Sequence, residues 1–373
     1  MRTVRLADVS DLTVGFVGSM VKHYVDKGVP FIRSMNVEPF RLNYNDLKYI
    51  SPEFNDRLSK SKLHKGDVVI VRTGKPGACA VIPDDYEEIN CSDLVIVRPH
   101  TEELDSLYAA CYINNSYRTV NAHLVGAVQQ HFNVKVAGNL EMNLPPLSEQ
   151  KRIAEIIGKL NEKIIVNESV NENLLQQAST IYQAWFEDFI LFDGICPEEW
   201  KQGDLSDIAN ITSGKRPPLK SAEKTDIATI PLVGAASVMG FTSESNHTDK
   251  ILVIGRVGTH GVVQRFNTSC WTSDNTLVIT SALYEYTYQI LQRIDYHAMN
   301  RGSTQPLITQ GDMNKIAILI PDRQTLDDFE ALVGQLMLQY EANLLENTKL
   351  SELRDALLPR LMSGELDVSN IDL

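Results

Sequence analysis

The stretch Ile153-Ala-Glu-Ile-Ile-Gly-Lys-Leu160-Asn-Glu-Lys-Ile-Ile-Val-Asn167-Glu-Ser-Val-Asn-Glu-Asn-Leu174 returns an apolar residue or Asn every seven positions, and Ile181 extends the row. A second row, Phe329, Leu336, Asn343, Leu350 and Leu357, does the same, at an offset of 176 from the first at every position. Ile156 and Val170 in one copy, and Leu332 and Leu353 in the other, stand at the spacing of a second apolar row. Both segments are predicted to be long amphipathic helices with a coiled-coil seam. Ser148 is the expected N-cap of the first, behind Pro145-Pro146, while Gly194 and Pro197 end it and Gly364 ends the second. Each row has Asn at its centre and reads the same in both directions. An antiparallel pair would set Asn167 opposite Asn343, Ile153 opposite Leu357, and Ile181 opposite Phe329. A buried Asn pair costs stability but penalises slipped registers. Forty-odd helical residues span about 60 Å. Antiparallel pairing would place a globular region at each end, related by a pseudo-twofold axis.

Outward from the helices, the flanking regions repeat as well. Leu6-Ala-Asp-Val-Ser-Asp-Leu-Thr-Val-Gly15 matches Leu205-Ser-Asp-Ile-Ala-Asn-Ile-Thr-Ser-Gly214. Arg72-Thr-Gly-Lys-Pro-Gly77 matches Arg256-Val-Gly-Thr-His-Gly261, Ser92-Asp93 matches Ser273-Asp274, and Gly126-Ala-Val-Gln129 matches Gly302-Ser-Thr-Gln305. The anchors keep their order while the lengths between them differ, which predicts one scaffold carrying two sets of loops. Asp67–Val71, Asp93–Val97, Ile251–Ile254 and Thr276–Ile279 are β-branched runs, and 107–118 and 284–296 are expected to be helical. The fold class is α+β. Its parts are globular repeats over 1–147 and 195–325 and helical segments over 148–194 and 326–373.

Composition bounds the function. At 373 residues the chain is long enough for two or three domains. Its net charge of −13 is uneven: the two globular repeats carry −1 each and the helical segments −4 and −7. Near-neutral domains can still present a basic face, and counterion release depends on that face. Five scattered cysteines form no C-x-x-C pair, against both a zinc site and a disulfide framework. No apolar run approaches a membrane span and no secretory leader is visible, so a cytoplasmic protein without a membrane partner is expected. The glycine pairs 74/77 and 258/261 lack the Lys-Ser/Thr ending of a P-loop and are expected to be turns. Asp84, Asp85, Glu87 and Glu88 have no Lys at nuclease-like spacing, and the eight histidines form no H-E-x-x-H pattern. Neither a catalytic residue nor a metal site is expected.

Basic and amide residues in the loops are the candidates for nucleic-acid contact. In the first repeat these are Lys60, Lys62, Arg72, Lys75 and Gln129. In the second they are Lys215, Arg216, Arg256, Thr259, His260, Arg301, Ser303 and Gln305. Arg pairs bidentately with guanine and Gln with adenine in a major groove, whereas Lys, Ser and Thr more often hold phosphates.

Leu144-Pro-Pro-Leu-Ser-Glu-Gln-Lys-Arg-Ile153, Gly302-Ser-Thr-Gln-Pro-Leu-Ile-Thr309 and Leu357-Leu-Pro-Arg-Leu-Met-Ser-Gly-Glu-Leu366 complete the picture. With the tandem layout, they make the whole chain resemble the specificity (S) subunit of type I restriction–modification enzymes. The resemblance implies that 1–147 and 195–325 are two target-recognition domains, each reading half of an asymmetric bipartite site in double-stranded DNA. It implies two methyltransferase (M) subunits docked on the helices and, for cleavage, restriction (R) subunits. The complex would use S-adenosylmethionine for methylation and ATP and Mg²⁺ for restriction, with none of these bound by this chain. The first half departs from the pattern, with Gly126-Ala-Val-Gln129 where the second has the more family-like Gly302-Ser-Thr-Gln305. The alternatives are a stand-alone DNA-modifying or DNA-cleaving enzyme and a helical scaffold that binds only protein.

Overall fold

A computed structural model of the chain describes residues 2–123, 132–257, 261–296, 298–299 and 307–368, with the side chains of 117–123 left aside. Two helices of 40 residues dominate it, Leu147–Phe186 and Arg323–Met362. The chain divides into two compact units. The first comprises Met1–Asn167 and Leu345–Leu373, the second Glu168–Leu344. Each long helix therefore gives one half to each unit.

The first unit is built on a four-stranded antiparallel sheet in the order Cys79–Val81, Val68–Val71, Leu94–Pro99, Ser10–Val14. All four residues of Val68–Val71 are buried, because the sheet is covered on both faces. Val68, Ile70, Val95 and Val97 pack with Tyr108 of the helix Ser106–His123 and with Ile153, Ile157, Leu358 and Leu361 of the long helices. Val69, Val71, Leu94 and Ile96 face Ile32 and Ile89 of a second, five-stranded sheet. In that sheet Val29–Ile32 and Ile89–Cys91 run parallel. The short helix Pro52–Arg57 follows another of its strands, with Ser51 as N-cap.

The second unit repeats the plan. Its four-stranded sheet has the equivalent order Val263–Phe266, Ile251–Gly255, Thr276–Ser281, Ala209–Ser213. A parallel pair again lies in the second sheet, Ile230–Val233 beside Trp271–Thr272, but that sheet has three strands. In each unit a two-stranded ribbon closes the repeat, Arg2–Arg5 with Glu141–Leu144 and Lys201–Asp204 with Ala317–Ile320. Tyr108 donates its hydroxyl to Asn143 O (2.7 Å) and Tyr286 to Leu319 O (2.5 Å), which ties the helix after the sheet to the ribbon in both.

The helix halves are antiparallel within each unit, with a finer register than expected. Ile153, Asn167, Leu174, Phe329 and Asn343 are buried, and Leu160, Ile181, Leu336, Leu350 and Leu357 are partly so. The second row is displaced by one residue from the sequence expectation. Val170, Leu332 and Leu353 are exposed, and Ile156 is only partly buried. Their places are taken by Ile157, Ile164, Asn171 and Ala178 on one helix and by Val333 and Leu361 on the other. Asn167 Nδ2 donates to Asn347 Oδ1 (2.8 Å) and to Glu346 (2.7 Å) in the first unit. In the second, Asn343 Nδ2 donates to Asn171 Oδ1 (2.9 Å). The expected Asn167–Asn343 pairing is thus corrected. In antiparallel packing a residue of the first row lies level with one of the partner's second row.

Helix ends differ too. Pro146 O accepts from Gln150 N, so Leu147 begins the first helix and Ser148 lies inside it instead of capping it. That helix stops at Phe186, before Gly194, where Phe189 takes a left-handed conformation (φ 51°). The second ends as expected, with Gly364 at φ 76° two residues past Met362. Gly74 and Gly77, both at positive φ, turn the chain between paired strands.

Candidate nucleic-acid interface

Among the described residues, the loops that leave the four-stranded sheets carry most of the candidates. In the second unit the chain passes from the strand Ala209–Ser213 into Gly214, whose N–H donates to Thr276 O (3.1 Å). Lys215 N–H donates to Thr272 O (2.9 Å), and Trp271 Nε1–H donates to Lys215 O (2.8 Å). These bonds fix the base of a loop on which Lys215 and Arg216 are exposed. Neither forms an ion pair among the described residues, nor do Lys220 and Lys224 further along, which sequence inspection passed over. His247 stands close by, and burial and the Lys215 charge together hold its imidazole below the ordinary value. Arg256 is half-buried, and its Nε is enclosed without a hydrogen-bond acceptor among the described residues. Its carbonyl accepts from Ile308 N–H (3.0 Å).

In the first unit several candidate cations are already engaged. Lys62 Nζ is held by Asp56 (2.9 Å) and Glu88 (3.0 Å), and these bonds raise its pKa. Arg72 Nη1 donates to Asp93 Oδ1 (2.6 Å), while its Nε, like that of Arg256, is buried without an acceptor among the described residues. Lys65 pairs with Asp84, and Lys75 is exposed with the carboxylate of Glu38 in its field. Lys60 is exposed and forms no ion pair among the described residues. Gln129, Thr259, His260, Arg301, Ser303 and Gln305 lie outside the described residues. Phe132 N–H donates to Arg72 O (3.3 Å) just as Ile308 N–H does to Arg256 O.

Sequence inspection also missed a group in the first unit. His23 stacks on Phe54 with ring centroids 4.1 Å apart and planes 5° apart. The Arg57 guanidinium lies 5.2 Å from the same ring. Lys22, His23 and Arg57 are exposed, and Lys22 and Arg57 are in no ion pair among the described residues. The match of Gly15 with Gly214 was the signal that points to this loop.

Among the described residues no cluster of three or more His, Cys, Asp or Glu could hold a metal ion, and no helix is long and apolar enough to cross a membrane. The cysteines are unpaired thiols, and burial raises the pKa of Cys79, Cys91 and Cys111.

Comparison with known proteins places this geometry in context. A type I restriction enzyme specificity subunit, MjaIX of Methanocaldococcus jannaschii, is 27% identical over 270 residues, covering 62% of this chain and 62% of that protein. The HindI specificity subunit of Haemophilus influenzae is 22% identical over 319 residues, covering 61% of this chain and 69% of its own length. The crystal structure of a type I restriction–modification S subunit from M. genitalium shares the fold, with a TM-score of 0.62 at 16% identity over 99% of this chain and 96% of that one. The family model of the type I restriction modification DNA specificity domain matches twice, at residues 1–176 and 197–353, once for each repeat. The chain therefore belongs to the type I restriction modification DNA specificity domain family.

Proposed function

We propose that this chain is the DNA-reading and assembly subunit of a type I restriction–modification complex and is not itself catalytic. One observation carries the proposal: the same four-stranded sheet occurs twice, and the loops leaving it differ in length and charge. Two equivalent scaffolds with unlike loops suit two unlike half-sites in one duplex. Exposed cations on those loops supply the phosphate contacts that dominate DNA affinity. The long helices carry an excess of acid and would repel DNA along their length. They also expose Ile165, Val166, Leu345 and Leu353 in the first unit and Val170, Leu332, Leu338 and Leu344 in the second. Apolar side chains in that number on a charged helix suit protein docking, here to two methyltransferase subunits, with restriction subunits joining the complete assembly. S-adenosylmethionine, ATP and Mg²⁺ would serve those partners in the cytoplasm.

Methylome sequencing of a host expressing the chain with its partner subunits is expected to return an asymmetric motif in two parts. A four-residue insertion in each long helix adds about 6 Å and should lengthen the unread gap by one or two base pairs, at about 3.4 Å each. A methylated motif without two parts would refute the two-reader proposal, and turnover of DNA by the purified chain alone would refute its non-catalytic role.

A further inference from the structure

The two units share the point at which the chain leaves the sheet. In the first, Gly15 N–H donates to Leu94 O (2.8 Å) and Phe16 N–H to Cys91 O (3.0 Å). In the second, Gly214 and Lys215 make the matching bonds to Thr276 and Thr272. Neither glycine has room for a Cβ, which would sit 2.7 Å from Cys91 Sγ at Gly15 and 2.0 Å from Ser273 O at Gly214. The segment after Gly15 is therefore the counterpart of the Lys215–Arg216 loop.

That segment is open to solvent except at Met20, which is buried with Phe31 and Phe54. Val17 and Val21 are 63% and 80% exposed. They offer two branched apolar groups four residues apart on the surface of the loop. Beside them stand Lys22 and His23, and stacking of His23 on Phe54 brings the loop against the helix that carries Arg57. Phe16 packs edge-on to the same Phe54 ring (6.1 Å), so both ends of the loop are anchored. The acidic groups of this region are Asp26, Glu53 and Asp56, and Asp56 is already bonded to Lys62. Lys62, Lys65 and Arg72 would each have to give up a carboxylate before taking a phosphate. Lys22 and Arg57 would not.

We infer that the loop Val17–His23, together with Arg57, is the surface through which the first unit meets duplex DNA. Lys22 and Arg57 hold phosphates. Val17 and Val21 enter the groove, where apolar contact favours the thymine methyl group. The inference rests on the DNA-reading role proposed above and assigns it to particular residues.

The test is selection by the full chain from a pool of randomised duplex DNA, followed by affinity measurements at graded salt. Wild type is expected to enrich a two-part motif. The Lys22→Ala/Arg57→Ala variant should bind the same motif at least about tenfold more weakly, with a salt slope lower by about 2. Val17→Ser/Val21→Ser should change the preferred bases in one part only, and Lys62→Ala should change neither property. These side chains are exposed, so thermal melts are expected to match wild type, and the single variant Lys22→Glu repeats the test at one site. A wild-type motif that both double variants bind with unchanged sequence and affinity would overturn this surface while leaving the DNA-reading role intact. Absence of any wild-type motif would overturn that role, and this assignment with it.

Discussion

The two units seat the same sheet on the same pair of helices with opposite chemistry. In the first, Ile153, Leu358, Leu361 and Met362 form the joint. Residues 176 positions away fill the corresponding places in the second, and there they are Phe329, Tyr182, Trp185 and Phe186. The Phe186 and Phe329 rings lie 5.0 Å apart in an edge-on contact, and Tyr286 stands 4.9 Å from Phe186. Polar groups follow the same division. The first unit places a neutral amide at the start of its helix: Gln150 Nε2 donates to Glu103 O and Pro145 O, and its Oε1 accepts from Asp105 N–H (2.9 Å). The second uses buried charge. Arg265 bridges Glu285 (2.6 Å) and Glu341 of the long helix (3.2 Å), and its guanidinium lies over the Tyr284 and Tyr288 rings. Burial works against that charge, but the paired carboxylates hold the Arg265 pKa above its ordinary value. Glu330 of the same helix also accepts from the N–H groups of Glu285 and Tyr286, capping a helix it does not belong to. A duplicated backbone thus does not require a duplicated joint, so long as volume and hydrogen bonding are satisfied locally.

The contrast can be broken most sharply at its charged side. Arg265→Ala strands Glu285, which is 3% exposed, and should lower unfolding free energy by about 3–5 kcal/mol in urea titration. A loss under about 1 kcal/mol would show that the charge network does not hold the second unit to its helix. On the neutral side, Gln150→Ala removes the partners of two carbonyls and one N–H and should cost about 1–3 kcal/mol, measured in the same way. A cost equal to that of Arg265→Ala would erase the difference between the neutral and the charged joint. Smallest is Lys62→Ala, whose carboxylate partners Asp56 and Glu88 are largely open to solvent. It is expected to shift stability by no more than about 0.5 kcal/mol by thermal melt.

What could be read from sequence follows from what hydrophobic periodicity can detect. The row Ile153 to Ile181 was visible because apolar residues mark it. Its companion row was placed one residue early, since Ile156 and Val170 are apolar whereas the true second-row position Asn171 is polar and is satisfied by partners elsewhere in the chain. The four-stranded sheets were visible as β-branched runs. The second sheets were not, because strands such as Tyr24–Val25 and Trp271–Thr272 are two residues long and are held by neighbours distant in sequence. Candidate cations suffered the same limit. Lys62 and Lys60 look alike in sequence, yet Glu88, 26 residues further on, neutralises only Lys62.

The discontinuity of the first unit has a consequence for synthesis. Its core cluster contains Leu358, Leu361, Met362 and Val368, whereas the second unit is one uninterrupted segment, Glu168–Leu344. A ribosome delivering the chain from its N-terminus finishes every component of the second core before the first receives its final ones. The half made earliest must wait with an open apolar face until Leu358–Val368 have been made. A message cut short before Leu345 would therefore yield one finished body attached to another that still lacks one side of its core.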